Sequence, residues 1–248
     1  MLRLVDSHAH LDELPDLARS LREARDSGVV AVVAVGCDPE SNERTLEIAR
    51  EYEGYVFPAA GLHPWDYDEG TAEEGLRYLE RRAGEFVAIG EVGLDYRIGL
   101  DRELQRRVFA RVLEVARRLR KPVIVHARDA WGDAVRAVLE SGVEVAVFHW
   151  YSGPLELLDE IVEAGHYISA TPAATYQERH RRALREAPLD RILLESDCPV
   201  VYRGLESRPA HVALAARGVA DVKGLPVSEV AEAGLRNSIK ALGLQVRT

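Results

Sequence analysis

Eight short apolar runs divide the chain at nearly regular intervals, and this alternation constrains the fold more than any other feature. The runs lie at residues 3–8, 29–36, 55–63, 86–93, 122–127, 143–150, 167–172 and 192–197. Each is nearly continuous in apolar residues, which is typical of strands buried on both faces of a parallel sheet. The charged segments between them have apolar residues at three- and four-residue spacing, which indicates amphipathic helices.

Eight strand–helix units in 248 residues predict one α/β domain, a closed (β/α)8 TIM-type barrel over residues 1–248. From about residue 204 the chain is expected to form a loop and two helices that close the barrel. A doubly wound open sheet is the alternative. Such a sheet usually carries a glycine-rich phosphate loop after its first strand, and here "HAHLD" at residues 8–12 takes that place.

Several local signals predict where helices begin and end. Asp38 followed by Pro39 predicts a helix start, and Thr71 with Glu74 predicts a capping box. Three glycines stand where helices are expected to end: Gly28, Gly142 and Gly165.

Composition limits which partners and which cellular compartment we expect for this protein. Lys+Arg 32 against Asp+Glu 41 gives a net charge of −9, so no global positive field attracts nucleic acid or an anionic membrane. Cys37 and Cys198 have no C-x-x-C spacing and suit a reducing compartment. The start "MLRLVDSH" lacks the apolar core of a signal peptide, and the longest apolar run, residues 29–35, is far below the roughly 20 residues that span a bilayer. We therefore expect a cytoplasmic protein with no membrane association, and we infer no obligate protein partner from the sequence.

Polar residues that suit metal binding stand at or near the predicted carboxyl ends of the strands. In a (β/α)8 barrel these ends and the loops after them build the active site. The residues are His8, His10, His63, Glu91, His126, His149 and Asp197. Any one inward histidine is more often a hydrogen-bonded core residue, but carboxylates clustered with several imidazoles in a low-dielectric interior need cations to offset their charge.

The spacing of these residues suggests roles. His8 and His10 are two apart on one strand, so both point inward and can bind one ion. Glu91, between Gly90 and Gly93, is the candidate bridge of a two-metal site, where the ions lie roughly 3.5–4 Å apart. Asp197 is a candidate ligand and catalytic base. Glu195 and Asp6 are expected to contact the ligands outside the metal site and to help orient them.

Further residues could contact a substrate. His63 and Arg128 are candidates to bind an anionic oxygen; a loop hydrogen bond and a salt bridge are the alternatives. The Arg-rich segment "QERHRRALRE", residues 177–186, is interpreted as an exposed helix face, with nucleic-acid contact as the alternative.

Taken together, the sequence resembles the TatD family of metal-dependent hydrolases, within the amidohydrolase superfamily. The resemblance rests on ordered segments from residue 5 to about 200: "DSHAHLD", "GLHPWD", "AIGEVGLDY", "QRRVF", "KPVIVHAR", "FHWYSG" and "LLESDCP". It implies two divalent ions, one held by His8, His10, Glu91 and Asp197 and the other by Glu91, His126 and His149. It also implies hydrolysis of phosphodiester bonds, typically of DNA, by a metal-activated water, with His63 near the phosphate.

Three departures from the family pattern concern pocket shape. Trp150 stands where a small residue is usual, and Ser196 stands where Thr is common. The segment "SRPAH" at 207–211 stands where the family has an Asn-Glu-Pro type segment after strand eight. Hydrolysis of a cyclic amide or another ester, and a metal-stabilised binding or scaffold protein without turnover, stay as alternatives. The donor types accept Zn, Mn, Mg or Fe.

Overall fold

The computed structural model describes residues 2–246, in which eight parallel strands alternate with helices. The strands are β1 Leu4–Ala9, β2 Val29–Val35, β3 Val56–Leu62, β4 Ala88–Asp95, β5 Val123–Arg128, β6 Ala146–Phe148, β7 Tyr167–Ala170 and β8 Ile192–Leu194. They pair in chain order from β1 to β8. The predicted (β/α)8 barrel is confirmed, because a doubly wound sheet would reorder its strands.

Helices surround this sheet and follow its strands. They are α1 Leu17–Asp26, α2 Pro39–Glu51, α3 Ala72–Arg82, α4 Arg102–Leu119, α5 Trp131–Ser141, α6 Leu155–Glu163 and α7 Glu178–Glu186. After β8 the chain forms a short hairpin of β9 Val201–Tyr202 and β10 Leu205–Glu206, and then helices α8 Val212–Lys223 and α9 Val227–Leu242. None of the helices within residues 2–246 is both long and apolar enough to cross a membrane.

Loop and side-chain hydrogen bonds join β8 to β1. The Asp197 backbone N–H donates to the His8 carbonyl (3.0 Å), and the Ser7 hydroxyl donates to the Leu194 carbonyl (3.0 Å). Buried Asp6 accepts from the backbone N–H of Ser196 (2.7 Å). The seam therefore places Asp197 beside His8.

Apolar side chains fill the end of the barrel interior that lies opposite the carboxyl ends of the strands. One buried cluster contains Ile124, Val147 and Leu193, together with Leu235 and Leu242 of α9. Because side chains two apart on a strand share a face, residues two positions after these strand residues also point inward, and they reach the carboxyl end of the barrel. Apolar packing thus occupies one end of the barrel and leaves the other end for polar side chains.

The helix-end predictions were partly right. Asp38 accepts from the Ser41 backbone N–H (2.7 Å) and α2 begins at Pro39, as predicted. The capping box of Thr71 with Glu74 was wrong, because the Thr71 hydroxyl accepts from the Asp68 N–H (3.0 Å) and belongs to the preceding turn. The three glycines have left-handed φ values at helix ends: Gly28 +90°, Gly142 +74° and Gly165 +85°.

Candidate metal centre

Four histidines surround the carboxylate of Glu91 at the carboxyl end of the barrel. Glu91 Oε2 lies 3.2 Å from His8 Nε2 and 3.4 Å from His10 Nε2. Glu91 Oε1 lies 2.8 Å from His126 Nδ1 and 3.2 Å from His149 Nε2. Each carboxylate oxygen therefore has two imidazole nitrogens within 3.4 Å, which is the arrangement expected of a bridging ligand.

Asp197 belongs to the Oε2 side of this cluster. Its Oδ1 lies 3.6 Å from His8 Nε2 and 3.9 Å from His10 Nε2. The sequence predicted strands through residues 150 and 197, but β6 ends at 148 and β8 at 194. Beyond these strand ends, Trp150 (φ 44°) and Asp197 (φ 49°) have left-handed backbones, which are uncommon for non-glycine residues.

Glycine allows β4 and β5 to approach closely at the centre. Gly93 is paired with His126 and has a φ of +150°, and a Cβ at this position would lie 2.0 Å from the His126 carbonyl oxygen. A larger residue would push β5 away, and with it the imidazole that contacts Glu91.

The donor atoms fit divalent cations. His8 Nε2 and His10 Nε2 are 3.2 Å apart and both face Glu91 Oε2, so lone pairs and negative charge converge on one small space. A cation there would offset this charge. Three groups of donors lie within 4.8 Å of one another: His8–His10–Glu91, His63–Glu91–His126 and His8–His149–Glu195. Such imidazole and carboxylate sets accept Zn, Mn, Fe or Mg.

In three of the histidines, the ring nitrogen that faces away from Glu91 contacts a further side chain. The pairs are His126 Nε2 with Asp95 Oδ2 (3.3 Å), His149 Nδ1 with Glu195 Oε1 (3.2 Å) and His10 Nδ1 with Cys37 Sγ (3.6 Å). Such partners fix the ring orientation and the tautomer of metal ligands. Glu195 thus contacts a predicted ligand, and its supporting role stays a prediction. Sequence reasoning missed Asp95, although it shares a face with Glu91 by the two-residue period.

His63 is oriented as a hydrogen-bond donor toward the centre. Its Nδ1 accepts from the Trp65 backbone N–H (3.2 Å), so its proton resides on Nε2, which lies 3.6 Å from Glu91 Oε1. Burial lowers the pKa of His63 to about 4, so the ring is neutral at pH 7. This geometry suits donation to an anionic oxygen better than binding of a cation through Nε2.

The two central carboxylates differ in basicity. Burial alone would raise the pKa of Glu91, but its interactions with the surrounding histidines, above all His149, hold it well below its ordinary value. Burial raises the pKa of Asp197. Asp197 is therefore the better proton acceptor of the two.

A pocket of about 1420 Å³ opens above the centre. All three tryptophans of the chain line it, namely Trp65, Trp131 and Trp150, together with the arginines Arg97, Arg128, Arg179 and Arg182. The structure thus places Arg128 at the pocket wall, as a substrate contact requires. It also places Arg179 and Arg182 there, which the interpretation of residues 177–186 as a plain exposed face did not anticipate.

The structure brings together all six residues predicted as ligands: His8, His10, Glu91, His126, His149 and Asp197. His63 and Arg128 also lie in the pocket above them.

Comparisons with known proteins agree with this arrangement. The model of a family described as TatD related DNase matches residues 5–243. Human deoxyribonuclease TATDN3 is 32% identical over 257 residues, covering 96% of this chain and 93% of that protein. The uncharacterized metal-dependent hydrolase YabD of Bacillus subtilis is 32% identical over 248 residues, covering 95% and 97%.

Solved structures give the same assignment. The crystal structure of YJJV, a TatD homolog from Escherichia coli, has a TM-score of 0.87 and 29% identity and covers 98% of both chains. With a family model that spans nearly its whole length and relatives above 30% identity, this chain belongs to the TatD-related DNase family.

Proposed function

We propose that this protein hydrolyses phosphodiester bonds in DNA at a centre of two divalent metal ions. His8, His10, Glu91 and Asp197 would hold one ion, and Glu91, His126 and His149 the other. The observation that carries the proposal is the division of four imidazoles between the two oxygens of Glu91. The names of the relatives, a deoxyribonuclease and a metal-dependent hydrolase, support DNA as the substrate.

Bound ions would supply Lewis acidity, which would polarise a phosphoryl oxygen and lower the pKa of the attacking water. Asp197 accepts the proton of that water, since burial has raised the pKa of its carboxyl group. His63 donates from Nε2 to a non-bridging phosphate oxygen, because its Nδ1 already accepts from Trp65. Arg128 at the pocket wall can bind the same anionic group.

Glu91→Ala tests this function directly. Removal of the shared carboxylate takes a ligand from both ions, so we expect hydrolysis of a labelled DNA oligonucleotide to fall roughly a thousandfold. Glu53→Ala is the matched control, since Glu53 is exposed and does not line the pocket. Activity is measured after treatment with a chelator and after return of Mn, Mg, Zn or Fe.

Two results would contradict the proposal. One is metal-dependent hydrolysis by Glu91→Ala at the wild-type rate. The other is a wild-type protein that cleaves a cyclic amide but no DNA and no phosphodiester analogue, or that binds DNA and turns nothing over. A 3′-labelled and a 5′-labelled oligonucleotide, run in parallel, give the direction of cleavage.

A further inference from the structure

The rim of the metal-centre pocket is divided by charge. One half, which we term the acidic half, is built by the loops after β1, β2 and β3 and contains Asp12, Glu13, Asp38 and Asp66. The other, the arginine half, is built by the end of β5, the loop after β4, and α7, and contains Arg97, Arg128, Arg179 and Arg182. Asp129 and Glu156 also line this half, and Asp129 lies 3.7 Å from Arg97. A polyanion is attracted to the arginine half and repelled by the acidic half.

The two arginines of α7 are free to bind an anion. Arg179 and Arg182 are exposed and three residues apart, so they lie on one face of the helix. Arg181 between them is paired with Asp221 (2.6 Å), whereas neither Arg179 nor Arg182 forms an ion pair within residues 2–246. Their guanidinium groups can therefore bind phosphates through two parallel hydrogen bonds.

An aromatic ring links α7 to the metal centre. Trp150 directly follows the candidate ligand His149, and its indole Nε1 donates to Gln177 Oε1 (2.9 Å). Gln177 is the residue that precedes the first turn of α7. The indole is half-buried and lines the same pocket as the two arginines. Nucleic-acid bases stack on such aromatic side chains with little dependence on sequence.

We propose that α7 is a binding site for the DNA strand beyond the phosphate that is cleaved. Arg179 and Arg182 bind backbone phosphates of that strand, and Trp150 stacks a base between them and the metal centre. The strand leaves the pocket over the arginine half, because the acidic half repels it. This inference rests on the proposed function for its ligand, and it assigns a role to an Arg-rich helix that the hydrolytic centre does not use.

The test compares two double variants with equal loss of charge. Arg179→Ala with Arg182→Ala removes the proposed contacts. Arg185→Ala with Arg217→Ala removes two exposed arginines of α7 and α8 that do not line the pocket. Binding of a fluorescent single-stranded oligothymidylate of about ten nucleotides is followed by anisotropy in the presence of a chelator, so that no cleavage occurs.

We expect the first double variant to bind roughly three- to tenfold more weakly than the wild type, and the control double variant to bind like the wild type. The dependence of log K on log salt should become shallower by about 1.4, since each lost phosphate contact contributes about 0.7 for a single strand. With metal present, KM for the oligonucleotide should rise more than KM for bis(4-nitrophenyl) phosphate, which has no second phosphate.

Equal weakening in the two double variants would overturn the inference, because the effect would then be one of net charge. So would unchanged binding in the first double variant, or a wild-type protein that does not bind the probe. Failure of the proposed function would look different. A wild-type protein that binds the probe through Arg179 and Arg182 but never cleaves it would contradict the proposed hydrolysis, while the binding site on α7 would still be supported.

Discussion

Asp95 couples three neighbours at the metal centre. Its Oδ2 accepts from the Trp65 indole (2.7 Å) and faces His126 Nε2 (3.3 Å), and its Oδ1 accepts from the Arg97 backbone N–H (2.9 Å). Burial would raise the pKa of Asp95, but these hydrogen bonds hold it at about 2. The ionised carboxylate therefore keeps the His126 proton on Nε2 and leaves Nδ1 to face Glu91.

Asp95→Asn should weaken metal binding while the fold is retained. A neutral amide holds the His126 proton less strongly, and loss of such a partner lowers metal affinity about 10–100-fold. Competition with a chromophoric chelator at pH 7 measures this affinity. Asp129→Asn, an exposed neighbour on the same rim, is the control. Equal affinity in the two variants would mean that Asp95 does not support the ligand.

A buried histidine fixes α7 to the rim. His180 Nδ1 donates to the Tyr151 carbonyl (2.7 Å), and His180 Nε2 accepts from the Thr171 backbone N–H (3.2 Å). These partners belong to the loops after β6 and β7, so one side chain joins the helix to both loops. Burial lowers the pKa of His180 to about 4, and the ring is neutral at pH 7. The position of the α7 arginines therefore depends on an uncharged histidine.

His180 should make stability depend on pH. In the unfolded chain its pKa is about 6.5, and in the folded protein it is about 4. Between these values the unfolded state binds a proton that the folded state does not, so the free energy of unfolding falls as the pH is lowered from 7 toward 4. From pH 7 to pH 5 the wild type should lose about 2 kcal/mol more than His180→Gln. Urea unfolding of the two metal-free proteins measures this difference. The prediction is refuted if the free energies of unfolding of the two proteins change with pH in parallel.

The barrel fold brings residues that are far apart in the sequence together in one site. His8 lies in β1, Glu91 in β4 and His126 in β5, whereas His149 and Asp197 follow β6 and β8. The same residues help to close the molecule, because the His8 carbonyl accepts the Asp197 N–H at the seam between β8 and β1. The geometry of the metal centre and the closure of the barrel are therefore linked.

Much of this arrangement could be predicted from the sequence, for physical reasons. The two-residue period places His8 and His10 on one face without knowledge of the fold, and strand order then brings other strand ends to the same rim. Asp95 was missed because β4 continues two residues past its predicted end. Helical periodicity showed that Arg179 and Arg182 are exposed, but it carries no information on which end of a helix borders the pocket.

The metal content of the purified protein tests the central claim most directly. If Glu91 bridges two ions, mass spectrometry of the metals after reconstitution and removal of excess should find about two divalent ions per wild-type chain. Glu53→Ala should retain both, and Glu91→Ala should retain fewer than one, because both sites lose a ligand. A wild-type chain that binds one ion or none, or a Glu91→Ala variant that still binds two, would contradict the account.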